Sequence, residues 1–331
     1  MIWLIGCNGM LGKELSLQLT QSKISWVGSD SDIDITDARA LENFINTTET
    51  ASYYSVPDSK KQDGKITWII NCAAYTAVDK AEDEAEKARA INVDGVVNIA
   101  RTARNHGAKL IHISTDYVFD GNADVPYVET EQKNPLGIYG KTKSESEDAV
   151  AQAMTQYYIV RTSWLYGFDG RNFVYTMTHA MNARDEVTVV NDQRGSPTFC
   201  GDLALAIIML IEKSQSASHL FGKNSPAPYG IYHFANEGET TWFEFAKAIY
   251  ELGKKYKRIL HDCTVTPCAT NAYPTKAVRP RYSVLSKAKI EKELKIRIPQ
   301  WQQSLERFMK SERFAVPSAM QTGVGSTPSE N

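Results

Sequence analysis

Tyr139 and Lys143 are the two residues whose types and spacing most directly suggest chemistry. They are four positions apart, so on a helix both side chains lie on the same face. A ketone that accepts a hydride becomes an alkoxide unless a nearby group donates a proton, and a tyrosine hydroxyl can be that group. The ordinary tyrosine pKa is ~10, and a neighbouring lysine ammonium is expected to favour the phenolate and lower that pKa. The pair therefore predicts general acid catalysis, which is typically worth about 10²–10⁴-fold in rate.

Hydroxyl groups that follow a predicted strand support this prediction. Ser114 and Thr115 come directly after the apolar stretch Lys109–Ile113, at a carboxyl end, where the sites of open parallel sheets lie. The Thr115 hydroxyl, together with that of Ser114, is expected to hydrogen-bond the substrate carbonyl and stabilise the developing oxyanion. A turn-capping role is the alternative for Thr115. The YxxxK spacing alone is common on helix surfaces. Together with the hydroxyl groups that follow the strand Lys109–Ile113, it predicts the catalytic set Thr115, Tyr139 and Lys143.

A glycine-rich turn follows the first predicted strand and precedes the first predicted helix. Its sequence, GCNGMLG, occupies Gly6–Gly12 and has the spacing GxxGxxG rather than GxGxxG. Glycines allow a tight turn and close approach of the backbone to a pyrophosphate, and the helix N-terminus attracts the anion. The turn therefore predicts a dinucleotide cradle, with a ligand-free glycine turn as the alternative. The small residues of Asn71–Thr76 (NCAAYT), at the end of a later strand, also suit close passage past a cofactor.

Acidic residues occur about where a dinucleotide ribose is expected. Asp30 ends the second predicted strand, and Asp34 follows in a polar loop. A carboxylate in this region often binds the ribose 2′-hydroxyl, and no arginine occurs between Lys23 and Arg39 to bind a 2′-phosphate. These residues favour NADH, although either aspartate can equally belong to a solvated loop.

The elements that must position these residues alternate between strand and helix in the first half of the chain. Predicted strands are Met1–Ile5, Ser25–Gly28, Thr67–Cys72, Lys109–Ile113 and Tyr158–Arg161, and predicted helices are Gly12–Leu19, Arg39–Asn46, Ala81–His106 and Lys143–Met154. Repeated βα units of this kind give a parallel sheet covered on both faces. The predicted fold is therefore α/β, a Rossmann-type doubly wound parallel sheet with a smaller C-terminal substrate-binding lobe.

A change of composition after Trp164 suggests a domain boundary. We expect residues 1–164 to form the nucleotide-binding domain, which the chain re-enters around 195–230. Residues 165–310 are expected to form mainly the substrate-binding lobe, with helices at Asp202–Lys213 and Thr241–Leu252. The polar stretch Ser55–Lys65 is predicted to be a surface excursion, and residues 311–331 a disordered tail.

The bulk composition excludes several classes of function. The 331 residues carry a net charge of −2, from 37 Lys and Arg against 39 Asp and Glu, without the basic stripe expected for nucleic acid. The longest apolar run, Leu203–Ile211, is too short to span a bilayer. The five cysteines form no CxxC pair, and no signal-like leader is visible. A cytoplasmic location and a small-molecule partner are therefore expected.

Several segments together resemble one family of enzymes. The resemblance runs from about Met1 to about Trp301, and the shared segments occur in the same order as in that family. The segments are Gly6–Gly12, Asn71–Asp79 (NCAAYTAVD), Ser114–Gly121 (STDYVFDG), Tyr139–Lys143 (YGKTK), Arg161–Tyr166 (RTSWLY), Asn191–Thr198 (NDQRGSPT) and Tyr273–Pro280 (YPTKAVRP). The sequence thereby resembles the extended short-chain dehydrogenase/reductases and, within them, the dTDP-4-dehydrorhamnose reductases. The resemblance implies reduction of the 4-keto group of dTDP-4-dehydro-6-deoxy-L-mannose, which gives dTDP-L-rhamnose, a precursor of cell-surface polysaccharide.

The resemblance also implies roles for individual residues. It gives the same catalytic set, and it assigns sugar contacts to Tyr117 and Trp164. Together with the glycine turn and the aspartates, it gives the predicted cofactor-binding residues: Gly6, Gly9, Met10, Leu11, Gly12, Asp30, Asp34, Ile35, Ala73, Ala74, Tyr75, Asn92, Tyr139 and Lys143. Further predicted contacts on the nucleotide-sugar side are Asn172, Arg194, Pro197 and Thr198. Members of the family often prefer NADPH, which opposes the argument from Asp30, so NADPH and NADH both remain candidates.

The resemblance raises the question of a metal and of assembly. Some members of the family dimerise through magnesium held by acidic residues. Glu14 and Asp202 match part of that pattern, but Gly201 stands where a second carboxylate is expected. No metal-binding residues are therefore assigned, magnesium stays open as a cofactor, and a monomer and a homodimer both remain open.

Two other functions are compatible with the sequence. The first is a reductase or epimerase of another nucleotide sugar, which would use the same Tyr139 and Lys143 chemistry and differ in the lobe after Trp164. The second is a non-catalytic regulatory subunit of the methionine adenosyltransferase type, which keeps this fold and binds a partner enzyme. The intact YPTKAVRP segment and Trp164 favour the reductase.

Overall fold

Six parallel strands form the central sheet of this computed structural model, which describes residues 1–50, 64–215 and 226–315. Along the chain, the strands are β1 (Ile2–Ile5), β2 (Trp26–Ser29), β3 (Trp68–Asn71), β4 (Lys109–Thr115), β5 (Tyr157–Thr162), β6 (Leu165–Tyr166), β7 (Glu186–Val190), β8 (Arg194–Gly195), β9 (Thr198–Phe199), β10 (Gly230–His233), β11 (Thr240–Thr241) and β12 (Thr264–Cys268). The central sheet has the order β10-β5-β4-β3-β1-β2, and all its neighbouring strands are parallel. The remaining strands of the described ranges pair as β11 with β8, β12 with β7, and β6 with β9.

Helices cover both faces of this sheet and build most of the second lobe. They are α1 (Met10–Gln21), α2 (Ala38–Thr50), α3 (Val78–Ala81), α4 (Ala85–Arg89), α5 (Gly95–Asn105), α6 (Ile138–Ala153), α7 (Phe173–Ala183), α8 (Cys200–Ser214), α9 (Trp242–Lys255), α10 (Ala288–Leu294) and α11 (Trp301–Lys310). Within the described ranges, no helix combines the length and the apolar character that crossing a membrane requires.

Alternate residues of the central strands face two separate hydrophobic clusters. In β1, Leu4 belongs to a cluster formed with α1 and α8, whereas Trp3 and Ile5 belong to a cluster formed with α2 and α5. A strand that is buried on both faces is apolar throughout, as β1 is, because helices cover both sides of a parallel sheet. The predicted Rossmann-type doubly wound fold is therefore confirmed.

An aromatic cluster forms the core of the second lobe. Tyr166, Tyr175, Phe245 and Phe308 meet there, brought together by β6, α7, α9 and α11. The chain returns to the first lobe with α8, which packs on α1, and with β10, which pairs with β5. It returns once more with α10, whose Ile290 lies in the cluster around α1 and α8. The domain prediction named a return to the first lobe only around residues 195–230, so it did not include this last segment.

Two predicted surface segments lie mostly outside the described residues. Of the predicted excursion at 55–65, only residues 64 and 65 are described, and residues 316–331 of the predicted tail are not. The first residues of that tail are ordered, because Phe314 is 6% exposed in the aromatic cluster and Arg313 pairs with Glu14 at 2.9 Å. The predicted tail boundary at residue 311 is therefore too early.

The predicted single helix Ala81–His106 is wrong. The structure instead has α4, a π-helical turn at Ala90–Asp94 and α5. π-Helical turns often occur near functional sites, and this one contains Asn92, whose side chain exchanges two hydrogen bonds with the Tyr75 backbone. The interruption of the helix therefore supports the segment that follows β3.

A buried ion pair fixes α6 to the central sheet. Glu147 of α6 accepts hydrogen bonds from Arg161 of β5 at 2.8 and 2.7 Å, and both side chains are 1% exposed. Ser114 of β4 donates to the same carboxylate at 2.6 Å. Bidentate pairing and a third donor offset the cost of burying these charges. The helix that carries Tyr139 and Lys143 is thereby held against β4 and β5.

We expect Glu147→Gln to destabilise the protein by roughly 3–5 kcal/mol, because it leaves the Arg161 guanidinium buried without its counter-charge. Urea unfolding followed by circular dichroism measures this change in the free energy of unfolding.

Glu145→Gln is the matched control, since Glu145 lies on the same helix but forms an exposed pair with Arg89. This variant should change the free energy of unfolding by no more than about 0.5 kcal/mol. Equal losses in the two variants would contradict the role given to the buried pair.

Candidate active site

The carboxyl ends of β4 and β5 meet α6 at one edge of the central sheet. Thr115 is the last residue of β4 and is paired in register with Thr162, the last residue of β5. α6 packs against β4 and carries both Tyr139 and Lys143. It begins at Ile138 rather than at the predicted Lys143. The three predicted catalytic residues therefore meet at the edge where open parallel sheets bind their ligands.

Tyr139 is half-buried, and its phenol is hydrogen-bonded with the Thr115 hydroxyl. Burial raises the pKa of Tyr139 above its ordinary value, and the bond with Thr115 offsets only part of this rise. The predicted net lowering of this pKa is wrong, because burial dominates the shift, while the Lys143 ammonium donates to the Ile113 carbonyl. A phenol with a raised pKa stays protonated at neutral pH, which is the state that a proton donor needs.

Lys143 is almost completely buried, with 2% of its surface exposed. Its Nζ donates to the Ile113 carbonyl at 2.7 Å and lies 3.2 Å from Nε2 of His112. Burial lowers the pKa of Lys143 to about 8, although the Glu147 carboxylate acts to raise it. The ammonium is therefore stable at neutral pH but is lost more readily than that of an exposed lysine.

Asp116 is a candidate functional residue that we did not predict from the sequence. Its Oδ1 accepts from the Thr115 hydroxyl at 2.9 Å, and burial raises the pKa of this carboxyl to about 6. Its buried Oδ2 makes no hydrogen bond of good geometry with the described residues, although the Ser283 hydroxyl is close enough to act on the pKa of this carboxyl. A buried polar atom of this kind calls for an explanation, and a bound ligand would provide one. The feature of the sequence that could have pointed to Asp116 is its place inside the STDYVFDG segment.

Arg279 is a second residue that we did not single out. The Tyr117 ring lies edge-on to Tyr139, with 5.5 Å between centroids, and the Arg279 guanidinium lies 6.0 Å from the Tyr117 centroid. Arg279 donates to Asp79 at 2.6 Å, while its Nη1 is buried without a partner in the described part of the chain. A cationic donor therefore lies beside the predicted sugar contact Tyr117. The feature of the sequence that could have pointed to Arg279 is the YPTKAVRP segment.

The glycine turn admits a dinucleotide but not side chains. Gly6 has φ +77°, and a Cβ there would lie 2.8 Å from the Ala73 nitrogen. A Cβ on Gly12 would lie 2.0 Å from the Gly6 carbonyl oxygen. α1 begins at Met10, and its cap residue Gly9 offers no side-chain hydrogen bond to the first amides. These uncapped amides and the bare turn fit the diphosphate of NADH or NADPH.

The two predicted ribose carboxylates have different settings. Asp30 directly follows β2 and accepts from the amides of Asn8 at 3.0 Å and Ser31 at 2.8 Å. Asp34 is exposed and accepts from the Thr36 amide and hydroxyl, which lowers the pKa of its carboxyl. Asp30 is therefore tied to the glycine turn, whereas Asp34 stabilises a local turn.

Two other predicted cofactor residues have their side chains in the core. Leu11 is 5% exposed and Ile35 is 7% exposed. The Ile35 carbonyl accepts from Asn98 at 3.1 Å, and a Cβ on Gly95 would lie 2.8 Å from the Ile35 side chain. Their backbones are therefore the parts available to a ligand.

Asn92 holds the segment Ala73, Ala74 and Tyr75, which follows β3. Its Oδ1 accepts from the Tyr75 amide at 2.8 Å, and its Nδ2 donates at 3.1 Å to both the Tyr75 carbonyl and the Thr142 hydroxyl. Both N–H groups and the oxygen of this amide are thus engaged. We therefore replace the predicted direct cofactor contact of Asn92 by a supporting role, in which it joins this segment to α6.

Trp164 is held in an uncommon backbone conformation. Its φ is +47°, a left-handed value that bulky residues rarely adopt. One ring face stacks on Trp242 at 3.7 Å between centroids and 12° between planes. A Cβ on Gly195 would lie 2.5 Å from the Trp164 ring, so only glycine fits beside it. Strain of this kind persists where surrounding contacts enforce it, often at ligand sites.

Asn172 has a structural role that replaces its predicted contact with the substrate. It is 0% exposed and caps α7 by accepting from the Tyr175 amide at 3.1 Å. Its Nδ2 donates to the Gly167 carbonyl at 2.9 Å and lies 3.9 Å from the Met10 sulfur. The residue therefore links the start of α1 to the second lobe.

The remaining predicted nucleotide-sugar contacts lie on and beside β8 and β9. Arg194 is half-exposed and forms an ion pair with Glu239. Pro197 and Thr198 are buried, and the Thr198 hydroxyl has no partner among the described residues. No hydrogen bond or ion pair found there joins these three residues directly to Tyr139 or Thr115, so their roles stay predictions.

The carboxylates that resemble part of a magnesium site are neutralised by arginines. Glu14 pairs with Arg313, and Asp202 pairs with Arg307. Asp202 also accepts from Ser304 at 2.5 Å. Within the described ranges, no group of three or more His, Cys, Asp or Glu side chains is arranged to hold a metal ion. The donor set at Glu14 and Asp202 therefore does not fit magnesium.

Known proteins share this architecture and these motifs. The family model described as RmlD substrate binding domain matches residues 1–314. A dTDP-4-dehydrorhamnose reductase of Sinorhizobium fredii is 40% identical over 256 residues, which cover 76% of this chain and 82% of the relative. The structure of a dTDP-4-dehydrorhamnose reductase from Clostridium acetobutylicum has a TM-score of 0.80 and 38% identity, covering 93% of this chain and 98% of that one. The enzyme of that name from Bacillus anthracis, solved in complex with NADP, has a TM-score of 0.80 and 36% identity, covering 93% of this chain and 97% of that one.

The family match includes both lobes and every residue of the candidate site. The two solved relatives are covered over nearly their whole length, so the likeness is not confined to the nucleotide-binding lobe. The chain therefore belongs to the RmlD family, that of the dTDP-4-dehydrorhamnose reductases.

Proposed function

We propose that this protein reduces the 4-keto group of dTDP-4-dehydro-L-rhamnose to give dTDP-L-rhamnose, with NADH or NADPH as the reductant. The observation that carries the proposal is the position of Tyr139, on the helix that packs against the carboxyl end of β4, beside Thr115. The glycine turn lies at the same edge, and the uncapped amides at the start of α1 suit the diphosphate of a dinucleotide. Family membership supplies the identity of the nucleotide sugar.

Reduction of a ketone requires a hydride at the carbonyl carbon and a proton at its oxygen. The nicotinamide supplies the hydride when the cofactor is bound. Tyr139 donates its phenolic proton to the carbonyl oxygen as negative charge develops there. The Thr115 hydroxyl turns its single proton from Asp116 to the same oxygen and donates to it. The Lys143 ammonium stabilises the resulting phenolate until solvent returns a proton to it.

Groups around Tyr139 are suited to recognition of the sugar and its diphosphate. Trp164 and Tyr117 supply aromatic surface for the apolar side of the sugar ring. The partnerless Oδ2 of Asp116 can accept from a sugar hydroxyl, and Nη1 of Arg279 can donate to a hydroxyl or a phosphate oxygen. These contacts are part of the proposal, and each is open to mutation.

The direct test is a coupled assay with the two preceding enzymes of the pathway, in which the loss of reduced-nicotinamide absorbance is followed and the product is identified by chromatography. We expect oxidation of the cofactor and formation of dTDP-L-rhamnose. A panel of other 4-keto sugar nucleotides is the control. Turnover of another member in place of the dTDP sugar would assign the protein to a sibling reaction, and no turnover with any ketone would contradict the enzyme proposal.

We expect Tyr139→Phe to lower turnover by at least about 100-fold, because the general acid is lost. Binding of NADPH, measured by fluorescence titration, should be largely unchanged.

Tyr157→Phe is the matched control, since Tyr157 is the first residue of β5 and lies at the amino ends of the strands, away from the site. Its turnover should remain close to that of the wild type. Near-normal turnover in Tyr139→Phe would refute the assignment of the proton donor.

We expect Trp164→Ala to raise KM for the dTDP sugar about tenfold or more, a loss of ~1.4 kcal/mol or more in binding. The variant lacks the Trp164 ring, which stacks on Trp242 and is proposed to contact the sugar. The glycine turn is unchanged, so the Kd of NADPH should stay constant. Trp164→Phe should recover part of the loss. Initial rates against sugar concentration measure the effect, and an unchanged KM would remove Trp164 from the site.

We expect Asp30→Asn to raise the ratio of kcat/KM for NADPH to that for NADH about tenfold, or ~1.4 kcal/mol. The substitution removes a negative charge that repels a 2′-phosphate and an acceptor for the ribose 2′-hydroxyl. Asp262→Asn is the control, because it makes the same charge change at a side chain that is 92% exposed in the second lobe. An unchanged ratio in Asp30→Asn would show that Asp30 serves only the glycine turn.

A further inference from the structure

A fully buried histidine lies behind Lys143 and has no part in the mechanism above. His112 of β4 is 0% exposed. Its Nδ1 lies 3.2 Å from Nδ2 of Asn71, and its Nε2 lies 3.0 Å from Oγ of Ser146 and 3.2 Å from Nζ of Lys143. Each ring nitrogen of a neutral histidine either donates or accepts, so these contacts determine which nitrogen carries the proton.

The contact with Asn71 indicates that Nδ1 is the acceptor. The Ala73 amide donates to Oδ1 of Asn71 at 3.0 Å, which fixes the orientation of the Asn71 side-chain amide. Nδ2 of Asn71 therefore faces the ring and can only donate. Nδ1 of His112 must then be unprotonated, and the ring proton lies on Nε2.

The contact with Ser146 leads independently to the same tautomer. The Ser146 hydroxyl donates its single proton to the Lys143 carbonyl at 2.6 Å. It can therefore only accept from His112, so Nε2 of His112 must be the donor. Two hydrogen-bond chains, one from β3 and one within α6, thus place the proton on Nε2.

An N–H group on Nε2 offers the neighbouring Lys143 ammonium no acceptor. Of the three protons on Nζ, one is donated to the Ile113 carbonyl at 2.7 Å. The other titratable groups that act on Lys143 are Glu147 of α6 and Cys72, which follows β3. Burial lowers the pKa of His112 well below its ordinary value, so the ring stays neutral and its N–H stays in place.

We propose that His112 is a positioning residue whose Nε2–H tautomer, locked by Asn71 and Ser146, turns the two remaining protons of Lys143 toward the cofactor cleft and Tyr139. The proposal rests on the proposed role of Lys143 in the reductase. It also connects the cofactor segment to the lysine, because the Ala73 amide that orients Asn71 belongs to the segment predicted to contact the cofactor.

Nitrogen-15 NMR of histidine-labelled protein tests the tautomer without any assay of activity. The protein has six histidines, and the signals of His112 are assigned by their absence from the His112→Phe spectrum, or from that of His112→Gln if the first variant does not fold. We expect one protonated nitrogen, Nε2, and one unprotonated nitrogen, Nδ1. A proton on Nδ1, or a doubly protonated ring at neutral pH, would overturn the proposal.

The pH profile of His112→Phe tests the effect on Lys143. In the wild type, kcat/KM for NADPH reports on the free enzyme and should fall as pH rises through about 8, where Lys143 loses its charge. Removing an N–H group that opposes the ammonium should raise the pKa of Lys143 and move this basic limb upward by about one pH unit. Loss of orientation should lower kcat about tenfold.

The alternatives give different results. If Nε2 of His112 accepted a hydrogen bond from the Lys143 ammonium, the basic limb of the pH profile of His112→Phe would move to lower pH. A merely structural role would lower the melting temperature and leave the limb unmoved. His261→Phe is the matched control, because His261 is exposed and paired with Asp185 in the second lobe, and it should change neither limb nor kcat. A wild type that turns over no ketone would refute the proposed function but leave the NMR result to decide the tautomer.

Discussion

The ion pair between Glu147 and Arg161 is the interaction on which the site depends. Tyr139 and Lys143 both lie on α6, so their position relative to Thr115 is set by how that helix sits against β4 and β5. Two parallel hydrogen bonds between buried ions, joined by the Ser114 hydroxyl, allow one arrangement only, because any displacement leaves a charge without its partner.

Burial at this edge acts in opposite directions on the two proton-carrying groups. It raises the pKa of Tyr139, since the phenolate is the charged form, and it lowers the pKa of Lys143, since the ammonium is. Both shifts disfavour charge at this edge of the sheet. The arriving substrate therefore meets a protonated phenol, and the lysine is needed as a cation only once the phenol has given up its proton.

The sequence was sufficient to predict the local features of the fold and site. Strand periodicity, the glycine turn and the four-residue spacing of Tyr139 and Lys143 are local patterns, and the parallel sheet and the placement of Thr115 beside Tyr139 followed from them. Features that depend on tertiary contacts were not predictable. The sign of the Tyr139 pKa shift depends on burial. The contact of Asn172 with Met10 joins residues 162 positions apart and forms only in the folded protein.

The same reason explains the missed residues. Asp116 and Arg279 lie in segments that the sequence analysis had quoted, but only their buried, partnerless atoms distinguish them from solvated charges. The prediction of one helix from Ala81 to His106 failed where a side chain binds a neighbouring backbone segment, as Asn92 does when it binds the Tyr75 backbone. The ion pair between Arg313 and Glu14 joins residues that are far apart in the sequence, so neither residue alone indicates it.

The most direct test of the central claim is a crystal structure of the protein with NADP⁺ and dTDP-L-rhamnose. The account predicts that the hydroxyl oxygen at the reduced carbon lies about 3 Å from both the Tyr139 phenol and the Thr115 hydroxyl, with the carbon facing the nicotinamide. A sugar whose reduced carbon lies away from Tyr139, with another side chain within hydrogen-bond distance of that oxygen, would contradict it.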